Sequence, residues 1–182
     1  MNFCSTCGER VTLSIPSGDN RERFVCQSPA CATIHYQNPR IITGCLPIYG
    51  DSVLLCKRAI EPRYGLWTIP AGFMENGETT EQGALRESWE EAYANLTIDH
   101  LYGLYDLPHI NQVYFIYKAE LQDTLFKSSS ESLEVALFKE SEIPWDNLAF
   151  KVVEKTLRRF FEDKKQSDFP LHKETLFPAT KN

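Results

Sequence analysis

Six residues in one stretch, Gly72, Glu78, Arg86, Glu87, Glu90 and Glu91, have the types and spacing to hold a hard cation against a phosphate. Within AGFMENGETTEQGALRESWEEAYA (71–94), five residues separate Gly72 from Glu78 and seven separate Glu78 from Arg86. Glu87, Glu90 and Glu91 then stand at i, i+3 and i+4, so on a helix their carboxylates share one face. Three like charges there cost stability unless something offsets them. Mg²⁺ (or Mn²⁺) does so: it takes carboxylate and other oxygen ligands, keeps several waters and works beside substrate phosphates. Arg86 is i, i+4 to Glu90 and can hold one carboxylate while Glu87 and Glu91 face the metal. A solvated acidic helix face is the plain alternative. The glycine loop and Glu78, at their spacings, weigh against it.

A second constellation lies at the start of the chain. Cys4-x-x-Cys7 is followed, after eighteen intervening residues, by Cys26-x4-Cys31. Two tight cysteine pairs bracketing a polar segment are what a tetrahedral Zn²⁺ ribbon needs. About 35 residues bury too little core to fold without such a staple. Four protein ligands leave no open position, so this zinc is structural. His35 is an alternative fourth ligand, and four buried free thiols are the metal-free alternative. Cys45 and Cys56 fall in apolar stretches and read as inert core residues.

The elements that must carry these groups follow from local pattern. Thr79 and Thr80 are natural N-caps, Gln82 completes a capping-box spacing with Thr79, and a helix is predicted from about Thr80 to Ala92. Leu85, Trp89 and Ala92 fall opposite the acids and are expected to face the core. Strands are expected at Arg40–Tyr49 and Ser52–Cys56, at Thr97–Tyr105 and Val113–Leu121, and at Val135–Phe138. A second helix over Phe150–Asp163 carries apolar residues at Val153, Leu157, Phe160 and Phe161. Arg58 and Arg63, flanking a loop, are candidate phosphate clamps, since guanidinium matches phosphate oxygens bidentately. His109 reads as structural or exposed. Residues 1–37 form a ribbon segment, 38–165 the main domain, and 166–182 a tail that packs on the body or on a partner subunit.

With 182 residues, of which 42% are hydrophobic, the chain can build a real core, and alternating strands and helices suit an α/β or α+β fold. A net charge of −6 gives no general pull toward nucleic acid or anionic membrane. No apolar run reaches the roughly 18 residues a membrane span needs. Without a signal-peptide shape at the N-terminus, six cysteines suit a reducing, cytoplasmic setting, where metal binding is favoured over disulfides.

The spacing G-x5-E-x7-R-E-x-x-E-E resembles the signature of the Nudix hydrolases, Mg²⁺-dependent enzymes that cleave nucleoside diphosphates linked to another moiety. Two positions depart from it. Ser88 stands where an aliphatic residue is usual, and Tyr93 replaces the glycine suited to a left-handed C-cap, with Asn95 as a substitute. The resemblance implies an α/β/α sandwich around a mixed sheet, preceded by a small zinc ribbon. It implies that the Ala71 carbonyl joins Glu87, Glu90 and Glu91 as a metal ligand, with Gly72 and Glu78 bracing the loop. It also implies a further acid from the Ser128–Glu134 loop, Glu131 in preference to Glu134, to activate the attacking water or bind another metal.

The cysteine-paired N-terminus, HYQNP, VLLCKRAIEPRYGLWTIPAGFMENGE, ESLE and EIPWDNLAF together look like the zinc-ribbon Nudix subgroup, which includes bacterial ADP-ribose pyrophosphatase-like proteins and the plant plastid FAD pyrophosphatase. That implies a small nucleotide substrate, FAD or ADP-ribose, and a homodimer. NADH pyrophosphatases carry an SQPWPFP-type segment after the signature where this chain has PHINQVYFIY, which counts against NADH. Two readings compete from other classes. One is a retired Nudix domain that only binds ligand. The other is an isopentenyl diphosphate isomerase, which needs a cysteine facing the substrate.

Overall fold

Three short strands, β1 (Val11–Ser14), β2 (Arg23–Cys26) and β3 (Ile34–His35), form an antiparallel sheet in which β2 is central. They belong to the first of two compact units, Met1–Pro39 and Arg40–Asn182. The computed structural model describes residues 1–178.

The second unit is built on β4 (Arg40–Tyr49), whose residues from Ile42 to Ile48 are all buried. A strand covered on both faces reads as a continuous apolar run, and this one does. Along β4 and β5 (Ser52–Arg58) the side chains alternate between the two faces of the sheet. Leu46, Ile48, Val53 and Leu55 join one cluster, while Cys45, Leu54 and Cys56 fall in two others. The strands β6 (Trp67–Thr68), β7 (Ala71–Phe73), β8 (Leu96–Leu107), β9 (Gln112–Leu121), β10 (Ser132–Phe138) and β11 (His172–Thr175) complete the sheet. Its order is β10-β5-β4-β9-β8-β11, with β6 on β5 and β7 on β4. The β4–β9 and β8–β11 pairs are parallel and the others antiparallel, so the sheet is mixed.

Two helices cover its faces. α1 (Thr80–Ala92) sets Ala84 against Cys45, Tyr117 and Ala119. α2 (Lys151–Gln166) buries Val153, Leu157, Phe160 and Phe161 against Leu46, Val53 and Ile116, as its apolar spacing predicts. The result is the expected α/β/α arrangement.

Thr79 caps α1 as its sequence predicts. Gln82 N–H donates to Thr79 Oγ1 at 3.1 Å, and Thr79 N–H donates to Gln82 Oε1 at 2.8 Å. Which face α1 buries differs from the sequence expectation. Trp89 is 54% exposed and Leu85 only half-buried, while Gly83, Ala84, Glu87, Ser88, Glu91 and Ala92 are buried. The reason is size: Ala84, Ser88 and Ala92 let the helix lie flush on the sheet. Ser88 satisfies its hydroxyl by donating to the Ala84 carbonyl at 2.7 Å, so a polar residue fits where an aliphatic one is usual. The helix exit also differs. Tyr93 itself takes the left-handed conformation (φ 51°) and its N–H caps α1, so Asn95 is not needed.

The expected tail contains a strand. α2 runs to Gln166, and β11 pairs in parallel with β8 along His172↔Gly103 to Thr175↔Asp106. His172 Nε2 and the Tyr102 hydroxyl both meet Asp163 Oδ2, each at 2.6 Å, and pin the strand to α2. The last residues of that tail, 179–182, lie outside the described residues.

Candidate active site

The site begins where the sheet opens. β4 and β5 pair only at Ile48↔Val53 and Tyr49↔Ser52; further along, β4 takes β7 and β5 takes β6. β7 therefore enters beside β4, and Gly44 makes room for it: a Cβ there would overlap the Ala71 side chain and the Pro70 carbonyl. Next along, a Cβ on Gly72 would overlap the Glu87 carboxylate. The glycine that opens the motif is thus required by the close approach of a metal-type ligand, not by its own φ.

Arg86 ties the loop to the helix. Its Nε and Nη2 donate to the two oxygens of Glu78 at 3.0 and 2.8 Å, a bidentate pair. Its Nη1 donates to Glu87 Oε1 at 2.7 Å and Glu90 Oε2 at 2.9 Å, and Nη2 also reaches the Phe73 carbonyl at 3.1 Å. Glu78 additionally accepts the Glu75 N–H at 2.6 Å. The Arg86 guanidinium, with that N–H, holds the Glu78 carboxyl down at about 2. Gly83 is a residue the sequence reading missed: a Cβ there would crowd Glu78 Oε1 and Thr43 Cγ2. The signal was present, since a glycine in a helix interior costs about 1 kcal/mol and calls for a reason.

The three acids are not equivalent. The Glu90 side chain is 50% exposed, whereas Glu87 and Glu91 are buried. Burial pushes the Glu87 carboxyl above the usual range, against the pull of Arg86. Burial, with Glu87 beside it, pushes Glu91 up to about 8, while the Arg58 charge pulls the other way. Glu91 Oε2 is fully buried with no hydrogen-bond partner among the described residues. An orphaned carboxylate oxygen beside a second buried carboxylate is the donor set a hard divalent cation fits.

Of the loop acids, Glu131 raises both Glu87 and Glu91 by its charge, whereas Glu134 pairs with Lys57 at 3.5 Å. Arg58 is only 8% exposed; its Nε donates to the Pro62 carbonyl at 2.8 Å and its guanidinium stands 5.2 Å from the Phe150 ring centre. Arg63 is exposed in the intervening loop, at φ 71°. His109 is exposed in a short turn. Burial pushes the Cys45 thiol up to about 11 and Cys56 well above its ordinary value, so neither is a thiolate at neutral pH.

In the first unit, the sulfurs of Cys4, Cys7, Cys26 and Cys31 all lie within 4.8 Å of one another. The Cys4–Cys31 and Cys7–Cys26 separations are 3.9 and 3.4 Å. Tetrahedral zinc–sulfur bonding asks for sulfurs roughly 3.8 Å apart, and the cluster fits. His35 is not among the four; its Nε2 stands 3.3 Å from Cys4 Sγ, a contact that orients the thiolate.

Residues 2–37 match the zinc-ribbon family described as Nudix N-terminal, and residues 38–162 match the NUDIX domain. The chain belongs to the Nudix family. A NUDIX hydrolase from Nitrosomonas europaea is 52% identical, with a TM-score of 0.92 over 97% of this chain and 99% of that one. A protein from Vibrio atlanticus named NAD-capped RNA hydrolase NudC is 36% identical over 92 residues, half of this chain. The chain spans about a third (31%) of that relative's length. An ADP-ribose pyrophosphatase from Streptococcus suis, 16% identical with a TM-score of 0.56 over 76% of this chain and all of that one, shares the fold. Among the described residues no helix is long and apolar enough to cross a membrane.

Proposed function

We propose that this Nudix protein hydrolyses the pyrophosphate bond of a dinucleotide-type substrate, FAD or ADP-ribose, releasing AMP with FMN or ribose 5-phosphate. The observation that carries the reading is the buried Glu87–Glu91 pair with one carboxylate oxygen unpartnered. Glu87, Glu90, Glu91 and the Ala71 carbonyl would hold Mg²⁺ (or Mn²⁺). When bound, such an ion supplies Lewis-acid polarisation of phosphate oxygens and lowers the pKa of water. The chain's own residues do the rest. Glu78 fixes Arg86, Arg86 fixes Glu87 and Glu90, and the acids keep one geometry from turnover to turnover. Glu131 takes the proton of the attacking water. Arg58 and Arg63 meet the phosphate oxygens. Water adds to one phosphorus and the second phosphate leaves with its nucleoside or sugar. The cysteine cluster holds a structural Zn²⁺. We further place the enzyme in the cytoplasm as a homodimer acting on a free nucleotide.

NADH or an NAD-capped end is the second reading, favoured by the relatives named NAD-capped RNA hydrolase NudC. A retired binding module fits poorly, since Glu87, Glu90 and Glu91 are all retained. The isomerase reading fits poorly too, because Cys45 and Cys56 are buried.

A parallel assay with Mg²⁺ and FAD, ADP-ribose, NADH and NAD separates these readings. AMP appearing fastest from FAD or ADP-ribose is expected. Fastest cleavage of NADH would move the assignment to the second reading, and no cleavage of any of the four would overturn both.

A further inference from the structure

Two buried side-chain oxygens lack a hydrogen-bond partner among the described residues, Glu91 Oε2 and Ser132 Oγ. Buried hydroxyls and carboxylates are almost always satisfied, so two orphans in one fold ask for a common cause. The sheet brings them to one face. Cys56 on β5 packs with Ala92, the neighbour of Glu91, in one buried cluster under α1. Ser132 lies directly across the β5–β10 ladder from Arg58, two residues along β5 from Cys56 and so on that same face.

Ser132 is 3% exposed, at the first position of β10. Its N–H reaches the Ser129 carbonyl at 3.4 Å, and the neighbouring Glu131 carbonyl accepts the Ala59 N–H at 2.8 Å. These bonds anchor the backbone that carries the buried hydroxyl, which has one proton to give and two lone pairs to fill. Val135, opposite Cys56 on the same two strands, lines the adjoining wall with an apolar side chain.

We propose that Ser132 is a positioning residue of the cation centre, its hydroxyl anchoring a water that also bonds Glu91 Oε2. The water fixes which lone pair Glu91 turns toward the ion. This rests on the assignment of Glu87 and Glu91 as metal ligands. Outer partners of metal ligands of this kind are worth about 10- to 100-fold in metal affinity.

The test is Mn²⁺ binding, followed by electron paramagnetic resonance of free Mn²⁺, in wild type, Ser132→Ala and Glu91→Gln. Thermal melts of the metal-free proteins run beside it. Ser132→Ala should weaken Mn²⁺ binding roughly tenfold or more while its metal-free melting temperature stays level or rises. Mn²⁺ affinity unchanged in Ser132→Ala but lost in Glu91→Gln would overturn the role of Ser132 and leave the metal assignment intact. Affinity unchanged in both would overturn the assignment itself. A drop in affinity that only tracks a drop in metal-free stability would make Ser132 a packing residue, and the proposal would fail.

Discussion

At the residue scale the site is set by what lies too close for a side chain. Gly72 admits the Glu87 carboxylate and Gly83 admits Glu78, so both acids are seated by missing Cβ atoms. Gly72→Ala should leave the fold intact, because the residue is in ordinary strand geometry, yet shift Glu87. A displacement of about 1 Å near reacting groups can cost on the order of 100-fold in rate, and kcat with Mg²⁺ reads it directly. Glu78 gives a pH signature. Its carboxyl sits at about 2 in the fold against an ordinary 4.5, so its contribution to stability is complete above about 4.5 and disappears as pH falls toward 2. Denaturation midpoints of wild type should fall across that window more steeply than those of Glu78→Gln. Equal slopes would place the Arg86–Glu78 pair outside the stability of the loop.

At the scale of elements, α1 shows what a sequence can and cannot reveal. Its start was legible, because Thr79 and Gln82 act through backbone groups three residues apart. Its acid cluster was legible, because helical spacing alone places Glu87 and Glu91 on one face. Its buried face was not. Periodicity assigns Trp89 inward on hydrophobicity, whereas the sheet accepts the small Ala84, Ser88 and Ala92 and leaves Trp89 outside, edge-on to Tyr93 at 5.5 Å. Tyr93 held the left-handed cap without glycine for a similar reason: the local N–H bonds to the Ser88 and Trp89 carbonyls outweigh its backbone preference. β11 was illegible because four mixed residues carry little pattern of their own; Leu176 and the Asp163–His172–Tyr102 contacts hold it from elsewhere in the chain. His172→Ala should therefore cost about 1–3 kcal/mol. Hydrogen exchange should speed up selectively over residues 168–178. Uniform exchange changes across the sheet would contradict a local clasp.

At the scale of the whole molecule, folding and cation binding are linked through Glu91. With its carboxyl raised to about 8, the metal-free protein holds that proton at neutral pH. The contribution of Glu91 to metal-free stability is therefore greatest below about 4.5 and is lost as pH rises to about 8, because the unfolded chain ionises that carboxyl while the fold holds its proton. Cation binding requires the deprotonated form, so it should release up to about one proton per site at pH 7 and tighten as pH rises toward 8. Calorimetry of Mn²⁺ binding in buffers of different ionisation enthalpy measures that release, and buffer-independent heats would contradict it. Glu91→Gln separates a cation centre at the buried pair on α1 from a merely structural acid pair. The measurement is AMP release from ADP-ribose and FAD across a Mg²⁺ titration, in wild type and variant, with near-identical melting temperatures as the control for folding. The expected result is Mg²⁺-dependent cleavage by the wild type and a loss of about 100- to 1000-fold in the variant, the scale of removing one electrostatic contributor to catalysis. Equal rates in the two proteins, or cleavage indifferent to Mg²⁺, would contradict it.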